Sequence, residues 1–308
     1  MAVNVGQLIT EAEYTTLRSG INLVMGPPTG TGTNAAGYNQ TTTSPAVSPG
    51  DKITAAAWNA LKADVDKAYT HQVGSAPNPA LATVNTDSGI TKTIHDALET
   101  VVDFVKAAGN RFTVGSGQFT TVSASSRTKT NWNGIQTHDI TFTWANANEV
   151  KAFFNAGGKL IFTSSLSYTG TEAKTIDWRT MMDPGTITMN YIDVSKTGTN
   201  GTITNSAGYY DLSATETEIL NRNGATPYSE NRYKIFASTI TNGVRIRMQY
   251  QDNDAGDQQP IVGAGPAGPA VDENVQGTLT SAMSYVRPTG TNVQVSAPAI
   301  ATGATNTF

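Results

Sequence analysis

Apolar residues in the N-terminal third of the chain recur at helical spacing in three segments with a common beginning. The segments open on Ile9-Thr10, Ile53-Thr54 and Ile90-Thr91. Residues three and four positions apart share one helix face, and each threonine stands where its hydroxyl would cap the first turn. Thr10 and Glu13 also match a capping box. We predict two or three amphipathic helices, with these stripes: Tyr14, Leu17, Ile21 and Val24; Trp58, Leu61, Val65 and Ala68; His95, Leu98, Val102 and Val105.

Two long stretches rich in Gly, Pro, Thr and Asn separate these segments, Gly26 to Gly50 and Val73 to Gly89. Loops of that length are uncommon inside a compact domain and often contact something outside the chain. We therefore interpret residues 1–110 as a helical, loop-rich docking region; the alternative is a small three-helix bundle. In the first interpretation, the residues that dock on other subunits are Tyr14, Leu17, Ile21, Trp58, Leu61 and Val65.

From about Gly115 onward the pattern changes to alternation, which is typical of half-buried strands. In the clearest run, Val244, Ile246, Met248 and Tyr250 alternate with polar residues. Short helices are predicted over 147–155 and 175–182. Several strands without regular β-α alternation favour an antiparallel β-sandwich or jelly roll over residues 111–308, with 297–308 as a C-terminal arm. The fold class is therefore mainly β with a helical N-terminal region.

Composition supports a β-rich chain and narrows its partners. The 308 residues include 47 Thr, and charged residues make up only 14%, against roughly 25% in an average soluble domain. Thr fits a pleated, half-exposed strand surface. The net charge of -4 gives no basic field to attract nucleic acid. The chain has no cysteine for a disulfide or thiolate site, and neither a secretory signal nor a membrane span is expected.

Candidate catalytic chemistry is sparse. The histidines are His71, His95 and His138, and none pairs with another at metal-ligand spacing. A Ser-His-Asp site can assemble across a fold, but His138 on an apolar face is more often a core histidine. The segment Gly263–Gly268 matches G-x-G-x-x-G, yet the prolines around it block the helix that a dinucleotide site requires. We expect no enzyme activity, no catalytic residue and no cofactor.

Two other groups of residues are weaker candidates for binding. Asp252, Asp254 and Asp257 follow the best strand and offer hard oxygens to a Ca²⁺ ion, although ordinary turn chemistry explains the cluster as well. Tyr209 and Tyr210 could stack on sugars, but tyrosine is equally common in sandwich cores. Carboxylates such as Asp139 and Asp177 cannot be paired into a glycosidase site from sequence alone.

Two sets of residues form recognisable motifs. The first comprises Ile9-Thr10 followed by Tyr14, residues 37–40, residues 53–61 and His71-Gln72. The second comprises residues 140–147, 153–158 and 177–178, and residues 272–281 near the C-terminus. Taken together, these motifs resemble virion proteins of tailed phages that infect marine cyanobacteria. The resemblance covers most of the chain except 109–130, and it carries over no catalytic residues. It implies a virion structural protein of the neck, tail or baseplate.

The expected function is therefore structural, acting through assembly with other virion proteins of the same particle and with copies of itself. The expected location is the virion. A receptor- or carbohydrate-binding module of a phage appendage, contacting a host-surface glycan, is the alternative, as is a capsid decoration protein. An enzyme such as a polysaccharide hydrolase is the remaining alternative.

Overall fold

The structure is a computed structural model that describes residues 9–254, 257–258, 270–271 and 274–308. Within these residues the chain is mainly β, with 31% strand and 26% helix. It divides into two compact units. The first comprises Met1–Thr121, Ala145–Lys159 and Val286–Ala297, and the second comprises Val122–Trp144, Leu160–Tyr285 and Pro298–Phe308. The boundary predicted after residue 110 is thus too simple, because two later segments also belong to the first unit.

The threonines of the Ile-Thr pairs cap the first three helices, as the sequence pattern predicts. The hydroxyls of Thr10, Thr54 and Thr91 each accept a hydrogen bond from the backbone N–H three residues further on, and Thr10 forms the capping box with Glu13. Each cap satisfies an amide that the helix leaves without a partner. In chain order the helices of the first unit are α1 (Glu11–Met25), α2 (Ala55–Val73), α3 (Lys92–Lys106) and α4 (Ala147–Asn155).

Helices α1, α2 and α3 pack on one another and run in the same direction. The residues that lead into all three helices line one pocket. At the opposite ends, the Tyr38 N–H donates to the carbonyl of Val24 in α1 (2.9 Å). Gln72, near the end of α2, donates through Nε2 to the Tyr38 hydroxyl (2.8 Å) and to the carbonyl of Val105 in α3 (2.9 Å). The alternative interpretation, a three-helix bundle, is the one that the structure adopts.

The strands form two larger antiparallel sheets within the described residues, and a separate pair. In chain order they are β1 (Phe119–Trp132), β2 (Ile135–Thr143), β3 (Lys159–Ser167), β4 (Ile187–Met189), β5 (Val194–Lys196), β6 (Thr202–Ile203), β7 (Thr217–Asn223), β8 (Arg232–Ile240), β9 (Gly243–Gln251), β10 (Asp257–Gln258), β11 (Ala270–Val271), β12 (Val275–Pro288) and β13 (Ala299–Thr302). The first sheet has the order β1-β12-β3-β4-β5, and the second has the order β13-β2-β9-β8-β7-β6. Strands β10 and β11 pair with each other.

Strand β9 shows the predicted alternation. Val244, Ile246, Met248 and Tyr250 are fully buried, whereas the residues between them are half-buried. Its neighbours β2 and β8 pair with it along their whole length. The short helices are also found as predicted: α4 has the predicted bounds, and α5 (Ala173–Met181) in the second unit begins two residues early. None of the described helices combines the length and apolar character that a membrane crossing requires.

The C-terminal residues do not form a projecting arm, so that prediction is wrong. Strand β13 pairs with β2, with Ile300 opposite Phe142. The Thr307 N–H donates to the Thr137 carbonyl (2.9 Å), and the ring of Phe308 lies 5.8 Å from that of His138. The tail is an edge strand that completes the second sheet, and it satisfies backbone groups that β2 would otherwise leave open.

Candidate functional site

The predicted docking side chains form the core of the helical bundle. Each is at most 3% exposed: Tyr14, Leu17, Ile21, Trp58, Leu61 and Val65. The Tyr14 hydroxyl also donates inside the unit, to the carbonyl of Pro45 (3.0 Å). The apolar stripes therefore pack against one another, and the residues predicted to contact other subunits have no surface to offer them. This is a correction to the docking assignment.

A pocket of about 640 Å³ lies at the N-terminal end of the bundle. Ile9, Ile53 and Ile90, the isoleucines of the three Ile-Thr pairs, are among its lining residues. The backbone dipoles of three parallel helices place their positive ends here. Glu11, Asp51 and Lys52 also line the pocket, so it carries charged side chains of both signs. The threefold sequence pattern thus corresponds to one shared location.

Polar residues of the resemblance motifs meet at the opposite end of the bundle. Tyr38 is fully buried and donates to the carbonyl of Arg111 (2.6 Å), and burial raises its pKa. His71 stacks edge-on against it at 5.0 Å and bonds through Nε2 to the Ala156 carbonyl (2.9 Å). Asn155 donates to the carbonyl of Gly37 (3.1 Å). We call these residues, with Gln72, the Tyr38 cluster.

Burial decides the charge of His71 in this cluster. Its side chain is inaccessible to solvent, and desolvation lowers the pKa of the imidazole to about 4, although the hydrogen bond with Ala156 acts in the opposite direction. The ring is therefore neutral at neutral pH. The cluster joins the ends of the helices through uncharged hydrogen bonds, and it has the character of a structural junction.

His138 bonds to two serines from strands of the first sheet. Its Nε2 lies 2.9 Å from Ser125 Oγ on β1, and its Nδ1 lies 2.9 Å from Ser281 Oγ on β12. A catalytic triad would place a carboxylate at Nδ1 and leave the serine open to substrate. Here the side chain is fully buried, and burial lowers its pKa to about 4. The prediction of a satisfied core histidine is confirmed.

Asp139 anchors a charged network in the second sheet. Arg245 donates two hydrogen bonds to its carboxylate, from Nε to Oδ1 (2.9 Å) and from Nη2 to Oδ2 (2.5 Å). Thr305 adds hydrogen bonds to Oδ2 from its N–H (3.1 Å) and its hydroxyl (2.7 Å). Burial raises the pKa of Asp139, but these bonds outweigh burial and the pKa lies below its ordinary value. Glu216 bridges Arg245 and Arg247. Asp139 thus serves to hold the C-terminal residues.

The acidic cluster after β9 has a cation of the protein as its partner. The Lys174 ammonium lies 2.9 Å from Asp252 Oδ2 and 3.7 Å from Asp254 Oδ2. The side chain of Asp257, the third residue of the predicted calcium site, lies outside the described residues, as does the Gly263–Gly268 motif. The Lys174 ammonium provides the positive charge beside Asp252 that a metal ion would otherwise bring. A calcium site here stays a prediction.

Sequence reasoning missed Lys174, although a signal was present. Trp178 follows it by four residues on α5, so both side chains lie on one helix face. Trp178 is fully buried and packs edge-on against Trp132 at 4.7 Å. A lysine that shares a face with a buried tryptophan is a candidate for burial, and Lys174 is 1% exposed.

One further group of potential metal ligands exists in the described part of the chain. His95, Asp96 and Glu99 on α3 bring three ligand atoms within 4.8 Å of one another. The Lys92 ammonium, however, bonds directly to Asp96, and this bond lowers the pKa of that carboxyl. His95 Nδ1 lies 3.2 Å from the same carboxylate. These contacts describe an ordinary helix-surface charge cluster.

Comparison with known proteins gives no match: no protein-family model, curated protein or solved structure matches this chain. The structure itself defines a mainly β chain with a bundle of three parallel helices.

Proposed function

We propose that the protein is a structural component of a tailed-bacteriophage virion, in its neck, tail or baseplate. It acts by assembling with other virion proteins and with copies of itself. The observation that carries this proposal is the Tyr38 cluster. Residues on which the virion-protein resemblance rests are far apart in sequence, yet Tyr38, Gln72 and Asn155 meet in it. These motif residues form one junction between the helix ends. An assembly protein needs such a junction to keep its helices in place.

The bundle offers a contact surface made of outward-facing residues. Phe104 on α3 is 38% exposed and Val73 at the end of α2 is 39% exposed. The ring of Tyr69 lies 5.2 Å from that of Phe104, so the three side chains belong to neighbouring helix faces. Exposed aromatic and aliphatic side chains favour protein contacts, because burying them releases water. We assign docking on a neighbouring virion protein to this surface, in place of the core residues.

Mass spectrometry and cryo-electron microscopy of purified particles of the encoding phage test the proposal. We expect the chain in stoichiometric amounts, at a symmetric station of the particle. Phe104→Ser should lower its incorporation. Phe119→Ser, which alters a phenylalanine of similar exposure on β1, is the matched control and should leave incorporation unchanged. Particles that lack the chain would refute the virion assignment, and equal incorporation of both variants would refute the docking surface.

We also propose that the two larger sheets face each other as a β-sandwich. His138 and Phe142 on β2 support this arrangement, because His138 bonds to Ser125 and Ser281 of the first sheet and the Phe142 ring lies 6.4 Å from Tyr285 on β12. Sequential pairing from β6 to β9 favours a sandwich built of hairpins over a jelly roll, which pairs strands distant in sequence. An experimental structure tests this directly: facing sheets are expected, and sheets that make no mutual contact would contradict it.

A second candidate function is glycan or receptor binding by an appendage. It is favoured by Tyr209 and Tyr210, which pack edge-on at 4.9 Å and stay partly exposed on a short turn. Paired aromatic rings can stack on sugar faces. A glycan array tests the idea. Binding that disappears in Tyr210→Ala would support a receptor role, whereas absence of binding to host envelope fractions would exclude it.

A further inference from the structure

Within the described residues, a buried ion pair joins α5 to the residue that follows β9. Lys174 Nζ lies 2.9 Å from Asp252 Oδ2, and the two side chains are 1% and 0% exposed. Asp254 brings a second carboxylate within 3.7 Å of the same nitrogen and is 16% exposed. Among the described residues, one amine and two carboxyl groups therefore share a site from which bulk water is almost excluded.

Exclusion of water changes the chemical reactivity of a lysine–aspartate pair. Charges removed from water lose their solvation, so the neutral amine and the neutral carboxylic acid compete with the ion pair. A neutral lysine amine is a nucleophile, and the carbonyl carbon of Asp252 is bonded directly to the oxygen that Nζ touches. Holding two reactive groups in contact turns a bimolecular reaction into an intramolecular one. Intramolecular reactions between well-oriented groups are much faster.

The backbone around both reactants is fixed by hydrogen bonds. The Asp252 N–H donates to the Gly134 carbonyl (3.0 Å). The Asp254 N–H donates to Asn231 Oδ1 (3.0 Å), and Asn231 is fully buried. On the other side, the Glu172 carboxylate caps α5 by accepting from the Lys174 N–H (2.8 Å). Both reacting side chains thus start from anchored main chain, as a near-attack arrangement requires.

We propose that Lys174 and Asp252 condense into an intramolecular amide cross-link, with Asp254 as the proton relay. The Lys174 nitrogen lone pair attacks Cγ of the Asp252 carboxylic acid and forms the C–N bond. Asp254 takes a proton from that nitrogen and returns it to the hydroxyl of the tetrahedral intermediate. The C–O bond then breaks and one water molecule leaves. No oxidant, reductant or cofactor takes part, and the product amide joins α5 covalently to the end of β9.

Intact-mass spectrometry of the purified full chain is the test. The expected mass is lower than the sequence mass by one water molecule. After tryptic digestion, cleavage at Lys174 should be lost, because an acylated lysine is not a trypsin site, and a branched peptide should contain Lys174 and Asp252. A fully condensed chain should also migrate faster on a denaturing gel, since the cross-link keeps the unfolded chain more compact. An unchanged mass in the folded wild-type protein would overturn the proposal.

The chain contains a matched internal control. Lys234 and Glu218 have nearly the same N–O separation, 2.8 Å, but are 22% and 27% exposed. Water has access to that pair and screens its interaction, so trypsin should cut normally after Lys234 in the same digest. A branched peptide at Lys234 as well would refute burial as the cause of the reaction.

Two variants separate the roles of the residues. Lys174→Arg should keep the full sequence mass, because guanidinium is always protonated and is no nucleophile. Asp254→Asn keeps both reactants but removes the relay, and it should leave the wild-type mass loss incomplete after the same incubation. Complete condensation in Asp254→Asn would overturn the assignment of Asp254, and a mass loss in Lys174→Arg would overturn that of Lys174.

Discussion

Replacing Asp139 by asparagine removes the charge that holds the C-terminal residues on the second sheet. The carboxylate accepts four hydrogen bonds, two from Arg245 and two from Thr305. Breaking a buried ion pair costs about 3–5 kcal/mol. Arg245 is 27% exposed and Glu216 stays 3.5 Å away as a second partner, so we expect the lower end, about 3 kcal/mol.

The sign of the pH dependence follows from the lowered pKa of Asp139. A carboxylate with a pKa below its unfolded value stabilises the fold fully above the unfolded pKa of about 3.9, and the contribution is lost as the pH falls through the folded pKa. Denaturant unfolding at neutral pH should therefore separate wild type from Asp139→Asn. The separation should shrink in strong acid.

Hydrogen exchange locates the effect. The amides of Thr305 and Thr307 bond to Asp139 and to the Thr137 carbonyl, so both should exchange faster in Asp139→Asn. Glu218→Gln is the control, because it removes a half-exposed ion pair worth at most about 1 kcal/mol. Asp139→Asn that costs no more than this control, with unchanged exchange at Thr305, would refute the anchoring role.

Three further predictions follow from burial and backbone geometry. Leu61→Ala should cost about 2–5 kcal/mol in denaturant unfolding, whereas Leu23→Ala, at a site 42% exposed, should cost less than about 0.5 kcal/mol; similar costs would refute the core assignment. His71 and His138 should stay neutral in an NMR titration down to about pH 5, and stability should fall from about pH 6.5 towards pH 4 as the unfolded chain takes up protons; normal titration would contradict their burial. Gly37→Ala should lower the thermal midpoint, because φ is +97° and the added carbon would lie 2.4 Å from a backbone oxygen; an unchanged midpoint would show that the loop relaxes.

Some elements can be predicted from the sequence because they depend only on local interactions. The threonine caps, the helix stripes and the alternation of β9 each depend on residues within one element, so spacing alone identifies them. Helix α4 has the predicted bounds, since Gly157 and Gly158 follow its end; the structure adds the Asn146 cap at its start. These predictions needed no knowledge of the partner element.

The sequence does not predict which element or subunit a helix face packs against. The stripe of Trp58 and Leu61 is equally suited to a neighbouring subunit and to the other helices of its own bundle. The burial of both residues in the structure shows that they pack against the bundle. The same holds for charged residues. Asp139 and Lys174 look solvent-exposed by type, and their burial depends on partners distant in sequence, such as Arg245 and Asp252. The buried charge pairs therefore could not be predicted from sequence, because their partners are distant along the chain.

The long loops of the helical unit have their physical explanation in the parallel course of its helices. Antiparallel neighbours need only short connections, but a parallel neighbour requires the chain to return along the whole length of the preceding helix. A 15-residue helix such as α1 spans about 22 Å, so the return needs about seven extended residues at least. The remaining loop residues do further work: Tyr38 reaches the helix ends, and Asp64 of α2 accepts from the backbone N–H groups of Thr43 and Ser44. Polar composition in these loops thus reflects backbone hydrogen bonding inside the unit, and an outside partner is not needed to explain their length.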